Sequence, residues 1–310
     1  MLSPPEYMQR YRGIIVSSVG GAWNPATISV DRYLLNTPSR QQGIMNERAK
    51  LARKILRDLS ILRAADPAAG ISVSVDSGSG AERRTFTTFT TAATDQLWAL
   101  LRYPFVGKSS PEAVSIVLQL AAVDLPGSPA IVSPENFQSY SDTWLGLDCN
   151  GLVGNYLRHV LYEVAWDDVN STTEIGPDSD ISIIWNRSSG TEYKHVGDVD
   201  ASQLILIVLV DEHGKVKPGG SSGYGHILLS GPGESTSIDG LKNKLGTDQA
   251  PAICTVESTH AVHQPGGEDG LFRGWSAYAE NRAQAGVFRL LRGLEGPAIP
   301  VRMRGMSWSG

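Results

Sequence analysis

The sequence predicts an α+β fold in which a helix packs on a mostly antiparallel sheet. The first observation behind this prediction is the stretch LGLDCNGLVGNYLRHVLYEV, where an irregular segment becomes an apolar-periodic run at Cys149. The second is the succession of strand-like segments after it, because a helix followed by several strands is an α+β order. The third is a differently patterned N-terminal part, which carries its own helices and a hairpin.

The N-terminal region, residues 1–125, is predicted to be mixed helix and hairpin, and its role is not evident from its sequence. Its first helix carries apolar residues at three- and four-residue steps, namely Leu51, Ile55, Leu59 and Leu62. The pattern then alternates around a Gly/Ser turn, which is typical of a hairpin. The predicted elements are a helix over 42–65, a β-hairpin over 71–91, helices over 94–103 and 111–123, and a Pro/Gly linker over 124–129.

The second region, residues 126–310, carries the helix and strands of the α+β prediction. Ser133 is suited to cap a helix whose first residue is Pro134. The next helix begins near Cys149 and has a stripe of residues expected to be buried, namely Leu152, Val153, Tyr156, Leu157, Val160 and Leu161. Strands are predicted over 180–185, 204–210, 225–231, 252–259 and 286–292.

Composition narrows the classes of function. The formal net charge of −5, without a long run of Lys or Arg, argues against a dedicated nucleic-acid binder. The longest apolar run, Leu204 to Val210, is too short to span a membrane. The N-terminus lacks the pattern of a signal peptide, so the cytoplasm is the default expectation; non-classical export, as a lysin or an effector, would leave no such mark. The two cysteines provide no disulfide framework.

Cys149 is the candidate nucleophile. Asp148 is a suitable N-cap residue and would place Cys149 in the first turn of the helix. The unpaired N–H groups and the macrodipole of a helix N-terminus favour a thiolate, so a low thiol pKa is expected there. Cys254 lies inside an apolar strand and is expected to be a core residue.

A thiol nucleophile needs a base, and the chain has six histidines. His159 lies too far along the Cys149 helix to reach the thiol, and His195 and His213 are in polar loops. His226 opens an apolar strand directly after Gly225 and is the candidate base. Glu257, at the end of the next strand, is the candidate group that orients the imidazole; His260 and Asp239 are the alternatives.

The segments GLDCNGLV, VGDVDASQLILIV, GHILLSG and CTVEST, in this order, resemble the NlpC-type and CHAP-type papain-like cysteine peptidases and amidases. In those families a D-C-S-G helix start carries the nucleophile, a G-H strand carries the base, and a polar residue on the next strand orients it. Cys149, His226 and Glu257 occupy those places, and the glutamate is more similar to the CHAP branch. Over residues 131–292 the resemblance implies a papain-like fold, no cofactor, and a peptide or isopeptide amide substrate, most commonly in peptidoglycan stem peptides.

The chain departs from the family pattern ahead of the cysteine. NFQSYSDTWLG stands where the family has a glycine-rich lead-in that helps to build the oxyanion site. Gln138 or Tyr140 is therefore the predicted oxyanion donor, beside the backbone N–H of Cys149. Asn150 replaces the customary serine, and Gly225 would let a substrate backbone approach the base. Asn150 and Gly225 are therefore the other two residues predicted to contact the substrate.

Three other functions remain open at this point. One is an acyltransferase, transglutaminase or deamidase-type effector that uses the same thiol. A second is a non-catalytic binding module on a degenerate peptidase fold. The third is a metal site formed by Glu257, His260 and His263, although their H-x-x-H spacing in a glycine-rich loop differs from that of a zinc-protease helix. The favoured prediction contains no metal.

Overall fold

A computed structural model describes residues 2–17, 25–34, 38–65, 72–76, 83–87, 94–165, 168, 175–218, 225–259 and 270–307. Within these ranges the chain is α+β, which confirms that part of the sequence prediction. The helices are α1 (Pro4–Arg12), α2 (Pro38–Ala65), α3 (Thr94–Arg102), α4 (Pro111–Ala121), α5 (Pro134–Trp144), α6 (Cys149–Tyr156), α7 (Ile181–Arg187) and α8 (Lys242–Leu245). The strands are β1 (Ile14–Val16), β2 (Ala26–Ile28), β3 (Ser72–Asp76), β4 (Arg83–Thr87), β5 (Thr191–Glu192), β6 (Leu204–Leu209), β7 (Ile227–Asp239), β8 (Gln249–Thr259), β9 (Gly270–Glu280), β10 (Phe288–Leu291) and β11 (Ile299–Met306).

Six antiparallel strands close into a barrel. Their order is β10-β9-β8-β7-β6-β11, and β10 also pairs with β11, which completes the ring. The short strand β5 adds to the other part of β11. Two small antiparallel pairs lie outside the barrel, β1 with β2 and β3 with β4. The second pair confirms the hairpin predicted over residues 71–91.

Local sequence signals determine where several helices begin. Ser133 accepts a hydrogen bond from the N–H of Asn136 and Pro134 follows it, as predicted for the start of α5. Asp148 caps α6 in the same way, so α6 begins at Cys149 as predicted. Helix α1 begins with a capping box between Ser3 and Glu6, a signal that the sequence analysis did not use.

Helix α6 packs on the outside of the barrel against β7 and β8. Alternate residues of these strands face the helix, because successive side chains in a strand point to opposite faces. Those facing the helix include Ile227, Leu229 and Val256, which share one apolar core with Leu152 and Tyr156. The opposite face of these strands, with Leu228 and Ile253, lies in the barrel interior. There it belongs to one apolar cluster with Tyr278 of β9, Phe288 of β10 and Met303 of β11. This packing brings the N-terminus of α6 to the start of β7.

The apolar core around α6 contains side chains from both sides of the predicted boundary at residues 125/126. Tyr7, Tyr11 and Phe105 belong to the same core as Leu152 and Tyr156. The ring of Tyr7 packs edge-to-face on the ring of Tyr156, with centroids 5.5 Å apart. The N-terminal region therefore contributes to the packing of the helix that carries Cys149.

One predicted strand is wrong. Residues 180–185 were expected to be a strand, but they lie mainly in helix α7. The buried residues Ile181, Ile184 and Trp185 follow helical spacing, and Ile183 is partly exposed. A short apolar run does not distinguish a strand from a buried helix, which explains the error. The sequence did not predict α1, α8, β1, β2, β5, β9 or β11. In β11, however, Val301, Arg302, Met303 and Arg304 alternate between buried and partly exposed, as a strand should.

Candidate functional site

Cys149 lies where the start of α6 meets the start of β7. It is the first residue of the helix and is only 6% exposed. The cap that fixes this turn is Asp148, whose Oδ1 accepts the N–H of Gly151 at 2.6 Å. The backbone N–H groups of Asn150 and Ile227 hydrogen-bond the sulfur. Since Ile227 directly follows His226, the predicted nucleophile and the predicted base lie on adjoining elements.

His226 and Glu257 form a fully buried pair. Nε2 of His226, just before β7, makes a very short hydrogen bond with Oε2 of Glu257 on the adjacent strand β8. This hydrogen bond fixes the orientation of the ring. Because Nε2 contacts the carboxylate, Nδ1 is the ring nitrogen that faces away from Glu257. The structure thus brings together the imidazole and the acid that the sequence analysis selected.

Arg292 is a second partner of Glu257. It lies directly after β10, and its Nε and Nη2 atoms are 3.0 Å from Oε1 and 2.8 Å from Oε2 of Glu257. Burial alone would raise the pKa of Glu257, but Arg292 and His226 together hold that pKa below its ordinary value. Glu257 is therefore a carboxylate at neutral pH and can stabilise a protonated imidazole.

The thiol of Cys149 is neutral in the resting site, contrary to the expectation of a thiolate. Burial and the adjacent carboxylate of Asp148 raise the pKa of Cys149 to about 12. Lys108 and the N–H groups of Ile227 and Asn150 lower it only in part. The S–H group donates to Oδ1 of Asn150 at 3.3 Å. Burial thus raises the pKa of the thiol by more than the N–H groups at the helix start lower it.

Lys108 forms a buried ion pair with the N-cap of the cysteine helix. Its Nζ lies 2.6 Å from Oδ2 of Asp148, and both side chains are about nine-tenths buried, with 8% and 10% exposed. Burial raises the pKa of Asp148 above its ordinary value, and Lys108 opposes that rise. The sequence analysis missed Lys108 because this contact joins residues that are distant along the chain. The only local signal is its place in the GKSSP segment before α4.

The two predicted oxyanion donors make other contacts. The side-chain amide of Gln138 bonds the backbone N–H and C=O of Ser29, each at 3.0 Å, and donates to Asp142 at 2.7 Å. Tyr140 packs edge-to-face on a phenylalanine of the N-terminal region, and burial raises the pKa of its hydroxyl. None of these contacts involves Cys149. The backbone N–H of Cys149, the third group named from the sequence, is the remaining candidate donor.

The predicted substrate-contacting residues border the site. Asn150 accepts the Cys149 S–H and donates from Nδ2 to the carbonyl of Ser179 at 2.9 Å. It therefore ties the first turn of α6 to the segment before α7. Gly225 is partly exposed and directly precedes the buried His226. Gly225 itself adds no side chain beside His226.

The other three described histidines make contacts elsewhere. His159 contacts the carbonyl of Val164 at 2.8 Å and Oδ1 of Asn155 at 3.2 Å, beyond the end of α6. His195 and His213 have side chains that are 67% and 82% exposed, as expected for polar loops. His260 and His263 lie outside the described residues.

The alternatives for the orienting acid and for a metal site find no support in the described ranges. Asp239 accepts a hydrogen bond from Gln249 at the end of β7 opposite to His226. Among the residues that the structure describes, no group of His, Cys, Asp and Glu is placed to hold a metal ion. Cys254 is buried, and burial together with Glu234 raises its pKa to about 11. Its thiol interacts with Glu234 and Arg273, whereas the expectation was an apolar core position.

Comparison with known protein families, curated proteins and solved structures finds no match to this chain. In the part of the chain that is described, no helix has both the length and the apolar character needed to cross a membrane.

Proposed function

We propose that the protein is a thiol-dependent hydrolase of the papain-like type, a cysteine peptidase or amidase. The observation that carries this proposal is the buried His226–Glu257 pair at the start of the strand whose first N–H group bonds the Cys149 sulfur. A nucleophile, a base and a group that orients the base are the three parts that amide hydrolysis through a thiol requires.

The chemistry begins with a neutral thiol. His226 takes the S–H proton as the sulfur attacks the amide carbonyl, and Glu257 stabilises the imidazolium that forms. The N–H of Cys149 stabilises the oxyanion. The C–N bond breaks as His226 returns the proton to the leaving amine, which leaves a thioester on the sulfur. Water then attacks the thioester, His226 removes its proton, and release of the carboxylic acid regenerates the thiol.

The proposed substrate is a peptide or isopeptide amide, such as those of peptidoglycan stem peptides. This choice rests on the resemblance of the segments around Cys149, His226 and Glu257 to the NlpC-type and CHAP-type families. A glutamate partner for the base agrees with that resemblance. The same thioester also permits transfer to an amine, so the products identify which reaction the protein performs.

The first experiment measures iodoacetamide alkylation of Cys149 and Cys254 separately, by mass spectrometry, between pH 6 and pH 9. Although the pKa of Cys149 is the higher of the two, we expect Cys149 to react faster than Cys254 at neutral pH, because His226 removes its proton as the sulfur attacks. In His226→Ala the Cys149 rate should fall on the order of 100-fold, as for loss of a general base. Equal rates for the two cysteines, or indifference of Cys149 to His226→Ala, would overturn the proposal.

The second experiment measures turnover of peptidoglycan stem peptides and of a mixed peptide library. Cys149→Ala should abolish cleavage, whereas the matched control Cys254→Ala should retain it. Added hydroxylamine should divert product to a hydroxamate if a thioester forms. Cleavage that persists in Cys149→Ala would exclude this nucleophile. Hydroxamate or amine adducts without hydrolysis would favour a transferase over the proposed hydrolase.

A further inference from the structure

The loop at residues 107–109 of the N-terminal region is hydrogen-bonded to the helix that carries Cys149 and to α1. The carbonyl of Gly107 accepts the N–H of Asp148 at 3.0 Å, and the carbonyl of Lys108 accepts from Nδ2 of Asn155 at 3.1 Å. The next carbonyl, of Ser109, accepts from the hydroxyl of Tyr11 at 2.8 Å. Three successive carbonyl groups thus accept hydrogen bonds, which fixes the backbone position from which the Lys108 side chain extends.

The contact between this loop and α6 depends on glycine. A Cβ atom at Gly151 would lie 1.9 Å from the carbonyl oxygen of Gly107, a distance that no side chain permits. Gly107 itself has a φ of 74°, in the left-handed region that glycine adopts most readily. The two glycines let the loop approach the backbone of the helix. Lys108 then reaches the cap from the side of the N-terminal region.

The ion pair that results lies beside the nucleophile. Lys108 and Asp148 are both buried and 2.6 Å apart, and Asp148 is the residue before Cys149. A buried carboxylate next to a thiol opposes its ionisation, and a buried ammonium group favours it. Accordingly, Asp148 raises the pKa of Cys149 and Lys108 lowers it.

Other charged groups face this pair from neighbouring elements. Asp178, in the segment before α7, raises the pKa of Asp148. On the neighbouring strands, His226 and Arg292 both contact Glu257. Within the described residues, Lys108 is the cation in direct contact with Asp148. The charge of the helix cap is therefore balanced by a residue from outside the predicted hydrolase region.

We propose that Lys108 is a positioning residue of the thiol site. It holds the Asp148 carboxylate and partly offsets its charge, so that this carboxylate caps the helix while opposing formation of the Cys149 thiolate less than it would alone. This inference deepens the proposed function, on which its catalytic meaning rests. It also gives the N-terminal region a role in the site, since that region supplies the cation.

The test uses two single variants whose effects on the thiol have opposite signs. Lys108→Met leaves an uncompensated carboxylate and should slow alkylation of Cys149, whereas Asp148→Asn keeps the capping oxygen and should accelerate it. A shift of one pKa unit changes the thiolate fraction, and with it the rate, about tenfold at a fixed pH below the pKa. We expect changes on the order of tenfold in each direction. The double variant should react at an intermediate rate.

Cys254 in the same molecule is the control for loss of structure, because unfolding would expose both cysteines. Shifts of the Cys149 pH profile in the same direction for both variants, or no shift in either, would overturn the role of Lys108. If Lys108→Met does not fold, Lys108→Gln, which removes the charge but keeps a polar side chain, takes its place: slower alkylation of Cys149 supports the role of Lys108, and an unchanged or faster rate refutes it. The outcome is separate from the proposed function, because opposite shifts can occur even if His226→Ala has no effect and no peptide is cleaved.

Discussion

Replacing Arg292 by methionine tests the buried arrangement that holds the candidate base. Arg292 makes two contacts with Glu257, at 3.0 and 2.8 Å, and its side chain is only 8% exposed. Methionine fills much of the same volume but leaves the fully buried Glu257 carboxylate with His226 alone. Removing one partner of a buried ion pair typically destabilises a protein by about 3–5 kcal/mol. Total stabilities are about 5–15 kcal/mol, so the loss should be large.

The matched variants separate the cost of an unpaired charge from that of lost packing. Glu257→Gln should also be destabilising, because it leaves the Arg292 guanidinium buried beside a neutral amide. The double variant leaves neither charge, and its amide can still accept a hydrogen bond from His226. Its destabilisation should be smaller than the sum of the two single values by about 2 kcal/mol or more.

Urea denaturation at pH 7, followed by circular dichroism, measures these free energies of unfolding. The three variants and the native protein form a double-mutant cycle. A coupling energy below about 0.5 kcal/mol would refute the reasoning. The destabilisations of the two single variants would then simply add, as they do for residues that do not interact. The alkylation rate of Cys149 in Arg292→Met then reports whether the change also disturbs the base.

Three further outcomes follow from the same site. Because the pKa of Glu257 is lower in the folded state than its ordinary value of 4.5, the ionised carboxylate stabilises the fold above pH 4.5. This stabilisation should disappear as the pH falls through the lower folded pKa. Urea denaturation of Glu257→Gln should lack that acid-dependent loss. Gly151→Ala should cost about 1–3 kcal/mol through overpacking, whereas Gly197→Ala, with open space around its Cβ position, should leave the denaturation midpoint almost unchanged. Asn150→Ala removes the acceptor of the Cys149 S–H, which stabilises only the neutral thiol, so alkylation should become a few-fold faster; a slower rate would contradict this account.

The parts of the structure that the sequence predicted are those with local signals. Asp148 has the chemistry of an N-cap, so the start of α6 followed from its neighbours along the chain. His226 and Glu257 were selected because each lies at the end of a recognisable apolar strand. The run at 180–185 was misassigned because a short apolar segment has no period that separates a helix from a strand.

The parts that the sequence did not predict depend on tertiary contacts. Lys108 and Arg292 resemble ordinary surface cations until the fold buries them against Asp148 and Glu257. The direction of the Cys149 pKa was wrong for the same reason, since burial exceeds the effect of the helix N-terminus. The contacts of Gln138 with Ser29 likewise join an element of the N-terminal region to α5.

The closure of the barrel has a consequence for the order of folding. Strand β11 pairs with β6 as well as with β10, so residues 204–209 must find partners in 299–306 across most of the second region. Contacts between residues so distant in sequence form slowly, because a long segment must be restricted before it gains the pairing. The Arg292–Glu257 ion pair spans only 35 residues and joins neighbouring strands of the β8-β9-β10 succession, so it does not need the β6–β11 pairing. A refolding chain should therefore bring Arg292 to Glu257 before the barrel closes.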